Sequence, residues 1–282
     1  MKIEKAAETG FCFGVKRAIG ILEKVARERG GMETLGAIVH NQQVLERLAR
    51  IGVKVVKSPD DIHGDTVVTS AHGLPPQLKE ELRHRHINII DTTCPFVHRT
   101  QIAARRLARA GFFTVIYGES DHPEVKSVLG WAQNRGMATL DEKSLAYLNL
   151  PHRIGILAQT TQIPARFTEF SKKLIDTAFT RDSELRVIDT ICHDIRERQA
   201  AALKLAKKTD LMLVIGGHNS ANTARLAELC SLNTTTYIIE TTAEIQPPWF
   251  QGKRLVGITS GTSTAEQTIE EVTLKLESIS SE

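Results

Sequence analysis

Three cysteines in this chain of 282 residues occupy comparable settings far apart in sequence. Cys94 closes "INIIDTTC", Cys192 closes "LRVIDTIC", and Cys12 lies in "ETGFCFG". The spacings are 82 and 98 residues, so the paired cysteines of zinc ribbons and fingers are absent. Scattered single thiolates that meet in space suit a metal centre assembled by tertiary structure. Three sulfurs leave a tetrahedral zinc, or one iron of a 4Fe–4S cube, short of a protein ligand. An open iron can bind a substrate oxygen and act as a Lewis acid, an electron donor, or both. The competing reading is that each cysteine is a small buried hydrophobe. That reading suits Cys230 in "ARLAELC", which has no counterpart elsewhere and lies on an apolar helical stripe.

A second group of residues could bind an anion. His40, His72 and His122 punctuate apolar runs, and Thr160, Ser220, Asn222 and Ser263 occupy similar positions. Imidazoles, hydroxyls and amides donate to phosphate oxygens, and loops leading into helices add backbone N–H groups. No Walker loop and no G-x-G-x-x-G accompany them, so a small phosphate or diphosphate fits better than a nucleotide. Glu124 follows in "HPE". It is either a favourable acid in a first helical turn or, beside a redox metal and an anion, a proton shuttle with Thr160 as relay.

The elements that must position these residues recur. Twenty-four residues beyond Cys12, Cys94 and Cys192 stand Gly36, Gly118 and Gly216, and four further on stand His40, His122 and Ser220. A helical pattern follows each cysteine, then a strand ending near the glycine, a second helix and a short strand ("VKVV", "MATL", "TYII"). Each short strand leads into a polar, acid-rich turn or helix. A last strand closes each copy: "DTVVTSAHG", "RIGILAQTT" and "RLVGITSGTS". Alternating strands and helices predict α/β units with parallel sheets, whose ligands gather beyond the carboxyl ends of the strands. The expected architecture is three similar α/β units, residues 1–96, 97–193 and 194–282, in pseudo-threefold arrangement around a shared central pocket.

Bulk composition is that of a globular protein, 41% hydrophobic and 24% charged, with a net charge of +3. That balance favours a local pocket for a small anion over a nucleic-acid surface. With neither a signal-peptide pattern nor an apolar run long enough to span a bilayer, a cytoplasmic protein is expected.

The phrases "GFCFGVKRAI", "VHN", "SAHG", "DTTCP", "HPEV", "QTT", "DTIC", "RERQ", "NSANT" and "SGTSTAEQ" run in order along almost the whole chain. Together they resemble the 4-hydroxy-3-methylbut-2-enyl diphosphate reductase family of the non-mevalonate isoprenoid pathway. The resemblance implies three α/β units around one 4Fe–4S cluster held by Cys12, Cys94 and Cys192. It implies a diphosphate site of His40, His72, His122, Thr160, Ser220, Ala221, Asn222 and Ser263, with Glu124 as proton donor and Thr160 near the allylic hydroxyl. The implied reaction is a reductive dehydroxylation. Two electrons and two protons remove the hydroxyl as water, giving isopentenyl and dimethylallyl diphosphates. Electrons would come from a ferredoxin or flavodoxin. Departures from the family pattern are Ala221, where a serine is common and a backbone N–H would serve instead, His218 in place of lysine, and His193. Two rivals keep the metal: a hydro-lyase that needs no reductant, and an iron–sulfur sensor without catalysis. A zinc site with phosphate chemistry is a third.

Overall fold

The computed structural model describes residues 1–143, 151–178 and 182–281. Most of the acid-rich segment expected after "MATL", residues 144–150, lies outside them. In chain order the elements are β1 (Lys2–Lys5), α1 (Phe13–Arg29), β2 (Met32–Leu35), α2 (Gln42–Arg50), β3 (Val53–Val56), β4 (Thr66–Thr69), α3 (Pro76–His84) and β5 (Asn88–Ile90). There follow α4 (Pro95–Arg109), β6 (Phe113–Tyr117), α5 (Pro123–Trp131), β7 (Gly136–Thr139), β8 (Arg153–Ala158), α6 (Pro164–Ala178) and β9 (Glu184–Val187). The chain continues with α7 (His193–Ala206), β10 (Leu211–Ile215), α8 (Ala221–Ser231), β11 (Thr235–Ile239), β12 (Leu255–Ser260) and α9 (Glu266–Ser281). Among the described residues no helix is long and apolar enough to cross a membrane.

The strands form three four-stranded parallel sheets, ordered β3-β2-β4-β5, β7-β6-β8-β9 and β1-β12-β10-β11. The order is the same each time once β1 is read as the fourth strand of the last sheet. Its Lys2–Lys5 run pairs with Leu255–Ile258 at the other end of the chain. Every cysteine of interest therefore follows the β1-, β5- or β9-type edge strand of a sheet. Nothing in the sequence marks β1 as a strand, since three of its four residues, Lys2, Glu4 and Lys5, are charged and it carries no apolar run.

The described residues divide into two compact units. One comprises Met1–Lys16, Val39–Arg50 and the chain from His193; the other comprises Arg17–Ile38 and Ile51–Cys192. In the first, β10 shows why a fully apolar run makes a central strand. Its odd residues Leu211, Leu213 and Ile215 join Ile269, Val272 and Leu276 of α9, while Met212 and Val214 join Leu205 of α7 and Leu226 and Cys230 of α8. Alternate side chains leave a strand on opposite faces, so a strand covered on both sides must be apolar throughout. Each such Leu or Ile contributes about 1.5–3 kcal/mol of burial. In the second unit, Phe112, Ile116 and Leu157 pack with Leu107 of α4 and Val125 and Val128 of α5. A smaller core of Leu35, Val56, Val67 and Leu82 joins β2, β3, β4 and α3.

The glycines at the 24-residue offset fall immediately after β2, β6 and β10. Their amides make one repeated bond: Gly36, Gly118 and Gly216 donate to the carbonyls of Val56, Thr139 and Ile239, at 2.9, 3.3 and 2.9 Å. Those acceptors are the last residues of β3, β7 and β11. The repeat read from sequence is thus a repeat of strand ends.

Candidate active site

Each of the three cysteines occupies a helix N-terminus. Cys94 is the N-cap of α4, and Cys12 and Cys192 immediately precede α1 and α7. The cysteine amides make the same bond three times. Cys12 donates to the carbonyl of Thr262 at 3.1 Å, Cys94 to Ala71 at 3.0 Å and Cys192 to Thr160 at 3.0 Å. Each acceptor is the second residue past a strand, β12, β4 and β8 respectively. There a tight turn closes from Gly261 to Thr264, from Ser70 to Gly73 and from Gln159 to Gln162.

The Asp-Thr phrase explains how two cysteines are delivered to these turns. The hydroxyls of Thr92 and Thr190 donate to the carbonyls of Thr69 and Ala158, each at 2.5 Å. These carbonyls belong to the last residues of β4 and β8. Asp91 Oδ1 accepts from the amide of Thr93, and Asp189 Oδ1 from that of Ile191, an aspartate turn that bends the chain before the helix. The first copy lacks the phrase. There Gly10, at φ +73°, donates to Ser260 Oγ at the end of β12.

None of the four cysteines is in a disulfide. Burial pushes the Cys12 thiol above its ordinary value, opposed by the Val15 amide at 3.5 Å from Sγ and the charge of Arg198. Helix N-termini favour the thiolate, the form that ligates metals. Three thiols presented alike fit a metal held by sulfur. Cys230 does not belong with them: it is buried in the α7–α8 core, and burial pushes its thiol up to about 12.

Within the second unit the predicted residues form a continuous series. Glu124, 2% exposed in the first turn of α5, accepts from the Thr160 amide at Oε1 and from the Thr160 hydroxyl at Oε2, both at 2.7 Å. Burial pushes its carboxyl up to about 7, and the two Thr160 bonds only partly oppose this. His122 caps α5, its Nδ1 accepting from the Glu124 amide at 3.2 Å. The His122 ring meets that of His72 edge-on, centroids 5.2 Å apart. His72 directly follows Ala71, the carbonyl partner of Cys94. Backbone and side chains therefore connect Cys192, Thr160, Glu124, His122, His72 and Cys94.

A comparable series occupies the first unit. Ser263, next to the Thr262 that accepts from Cys12, donates its hydroxyl to the carbonyl of His40 at 3.4 Å. Gly217 passes so near that carbonyl that a Cβ there would lie 2.4 Å from its oxygen, so only glycine fits. Ser220 caps α8, its Oγ accepting from the Thr223 amide. Ala221 and Asn222 form the first turn, where backbone N–H groups lack intrahelical partners. Asn222 is 2% exposed, and neither polar atom of its side chain has a hydrogen-bond partner among the described residues. A buried amide left so costs stability unless a ligand takes it up.

Of the departures from the family pattern, Ala221 lies in the first turn of α8, and the two histidines face carboxylates. His218 Nε2 is 2.7 Å from Glu244 Oε2, and His193 Nε2 is 3.1 Å from Glu197 Oε1; both histidine side chains are more than half exposed. Sequence reading assigned no role to Gly217, whose signal, a glycine pair closing an apolar strand, is common. Arg198, within "RERQ", is 3% exposed, a burial that no sequence period marks.

Fold and constellation define an α/β protein of three parallel-sheet repeats, each presenting one thiol at a helix N-terminus beside a polar turn. The chain belongs to the LytB protein family, whose model matches residues 3–277. A protein of Dehalococcoides mccartyi (strain CBDB1) named 4-hydroxy-3-methylbut-2-enyl diphosphate reductase is 58% identical over 281 residues, 99% of each chain. One of the same name from Aquifex aeolicus (strain VF5) is 40% identical, covering 97% of this chain and 95% of that one. Among solved structures, one described as (E)-4-hydroxy-3-methyl-but-2-enyl diphosphate reductase, the terminal enzyme of the non-mevalonate pathway, is 38% identical. It matches with a TM-score of 0.70 over 99% of this chain and 100% of that one. A Plasmodium falciparum reductase, 24% identical, shares the fold at a TM-score of 0.91 over 97% of this chain and 87% of its own.

Proposed function

We propose that this protein is a reductase that converts 4-hydroxy-3-methylbut-2-enyl diphosphate to isopentenyl and dimethylallyl diphosphates in isoprenoid precursor synthesis. The observation that carries the reading is the buried Glu124 carboxyl, held by both donors of Thr160, the residue whose carbonyl anchors Cys192. Cys12, Cys94 and Cys192 would hold one 4Fe–4S cluster, and their presentation at three equivalent turns supports that assignment. When bound, such a cluster supplies single electrons and an open, Lewis-acidic iron.

The protein's own groups would do the rest. Glu124, protonated for much of the time near neutral pH, holds the proton at Oε2, within reach of Thr160 Oγ1. Thr160 relays it toward the departing hydroxyl, and the second proton ends on the allylic carbon skeleton. Ser220, Asn222, Ser263, His40, His72 and His122, with the first-turn amides of α8 at Ala221 and Asn222, would donate to the diphosphate. The Asn222 side-chain N–H then gains the acceptor it lacks. Electrons would come from a cytoplasmic ferredoxin or flavodoxin, since no motif for a nicotinamide or flavin occurs in the sequence.

The test is anaerobic oxidation of a reduced viologen by the reconstituted protein, with and without the hydroxymethylbutenyl diphosphate. Substrate-dependent oxidation is expected. Dehydration without reductant would instead identify a hydro-lyase, and a cluster-loaded protein that neither binds nor turns over the diphosphate would identify a sensor.

A further inference from the structure

Three arginines repeat one contact around the chain. Arg17, five residues after Cys12, donates through Nη1 to the carbonyl of Thr93 at 3.3 Å, one residue before Cys94. Arg99, five residues after Cys94, donates through Nη2 to the carbonyl of Asp189 at 2.8 Å, three residues before Cys192. Arg198, six residues after Cys192, donates through Nη2 to the carbonyl of Gly10 at 3.0 Å, two residues before Cys12. Its Nη1 also donates to the carbonyls of Ser260 at 3.0 Å and Glu8 at 3.3 Å. Each repeat's first helix thus grips the loop that delivers the next repeat's cysteine, and the third grips the first.

Arg198 is the most telling of the three. It is 3% exposed, its Nε has no partner among the described residues, and its bonds go to the three carbonyls and weakly to Ser260 Oγ. Among those residues no carboxylate forms an ion pair with Arg17, Arg99 or Arg198. A buried guanidinium satisfied only by carbonyls keeps its full charge, which is costly unless an anion lies near. Cys12 would become such an anion as a metal-bound thiolate, and it, Glu8 and Asp194 each act on Arg198 through space. Tying one loop to one strand end would need neither a permanent charge nor the same device at all three cysteines.

We infer that Arg17, Arg99 and Arg198 are positioning residues of the metal centre: each holds the cysteine loop to which it bonds, and its charge favours the more negative, reduced state of a thiolate-bound group. The inference rests on the proposed iron–sulfur reading. A cluster held by three thiolates is an anion that becomes more negative on reduction. A fixed cation nearby therefore raises its potential, and hydrogen-bonded loops slow the loss of its ligands.

The experiment compares Arg198→Met, which keeps bulk without charge, with Arg198→Lys, which keeps charge without the fork. The exposed Arg99→Gln serves as the variant least able to disturb folding. Three quantities are read: amide hydrogen exchange of residues 8–12 in the metal-free protein, iron release to a chelator, and the midpoint potential of the reconstituted cluster. Both Arg198 variants should exchange faster at residues 8–12. Arg198→Met should shed iron about tenfold faster, in the range found for outer-shell partners of metal ligands. Its midpoint should be lower, whereas Arg198→Lys should keep the wild-type midpoint. Arg99→Gln should lose iron faster with an unchanged unfolding temperature. Wild-type potential and iron retention in Arg198→Met, or unaltered iron release in Arg99→Gln, would overturn the inference. If the wild-type protein takes up no cluster, the functional reading fails separately, and unchanged exchange at residues 8–12 would then defeat the positioning role as well.

Discussion

Thr160 presents two donors to one carboxyl group, its amide to Glu124 Oε1 and its hydroxyl to Oε2, while its carbonyl accepts from Cys192. A single residue thus links a buried acid to a cysteine on the other side of the same backbone turn. The bidentate grip fixes the carboxyl rotamer. Since the amide can only donate, Oε1 is always an acceptor, and Oε2 is left as the oxygen that carries the proton. With that proton in place the contact reverses, and the acid donates to the Thr160 hydroxyl.

Glu124→Gln preserves the shape of the side chain and removes its acidity. Cluster spectrum and substrate affinity should be kept, while kcat falls by about 10²–10⁴, the usual contribution of a positioned general acid. Steady-state turnover with a viologen donor checks this. A variant with unimpaired kcat would remove Glu124 from the mechanism.

The pH dependence has a definite sign. The Glu124 carboxyl titrates near 7 in the folded protein, against an ordinary value of 4.5. Between those values the folded state holds a proton that the unfolded chain has released. Its stabilising contribution is therefore full below about pH 4.5 and lost as pH rises through 7. The metal-free wild-type protein should lose melting temperature between pH 5 and 8 relative to Glu124→Gln, which has no such group to titrate. Turnover should decline on the alkaline side of 7 as the donor is deprotonated. Parallel melting curves for the two proteins across that range would contradict the assignment.

Asn222→Leu replaces an unpartnered buried amide with an apolar group of similar volume. Removing orphaned polar atoms should stabilise the ligand-free protein by about 1–2 kcal/mol. The same change should raise KM for the diphosphate, because the side-chain donor is gone. Denaturant unfolding and steady-state kinetics on one preparation read both effects. A less stable protein with unchanged KM would make Asn222 a structural residue.

Cysteine substitutions separate ligands from core. Cys94→Ala should lose most bound iron after reconstitution, because the one thiol outside the trio, Cys230, is buried in the α7–α8 core and cannot replace it. Cys230→Ala should keep the full iron content and lose only packing, about 1 kcal/mol for the small buried group. Iron and sulfide analysis beside circular dichroism checks both. Full iron in Cys94→Ala would refute its place in the metal centre.

What the sequence determined by itself was local and repeated. The α/β alternation, the glycine after each first strand and the cysteine before each helix depend on side-chain period, on backbone dihedral angles and on helix termini. Such features leave the same mark in every copy, so counting offsets finds them, and with them the place of each cysteine ahead of its helix. Tertiary structure alone decided the partners. It paired Lys2–Lys5 with Leu255–Ile258, brought Ser263 to the His40 carbonyl, joined Glu124 to Thr160 and set each arginine against the loop before another repeat's cysteine. It also left the Asn222 side chain buried without a hydrogen-bond partner among the described residues. None of these leaves a periodic trace, because the choice among many hydroxyls, carbonyls and edge strands is made by long-range packing, where each contact's free energy depends on every other element being in position.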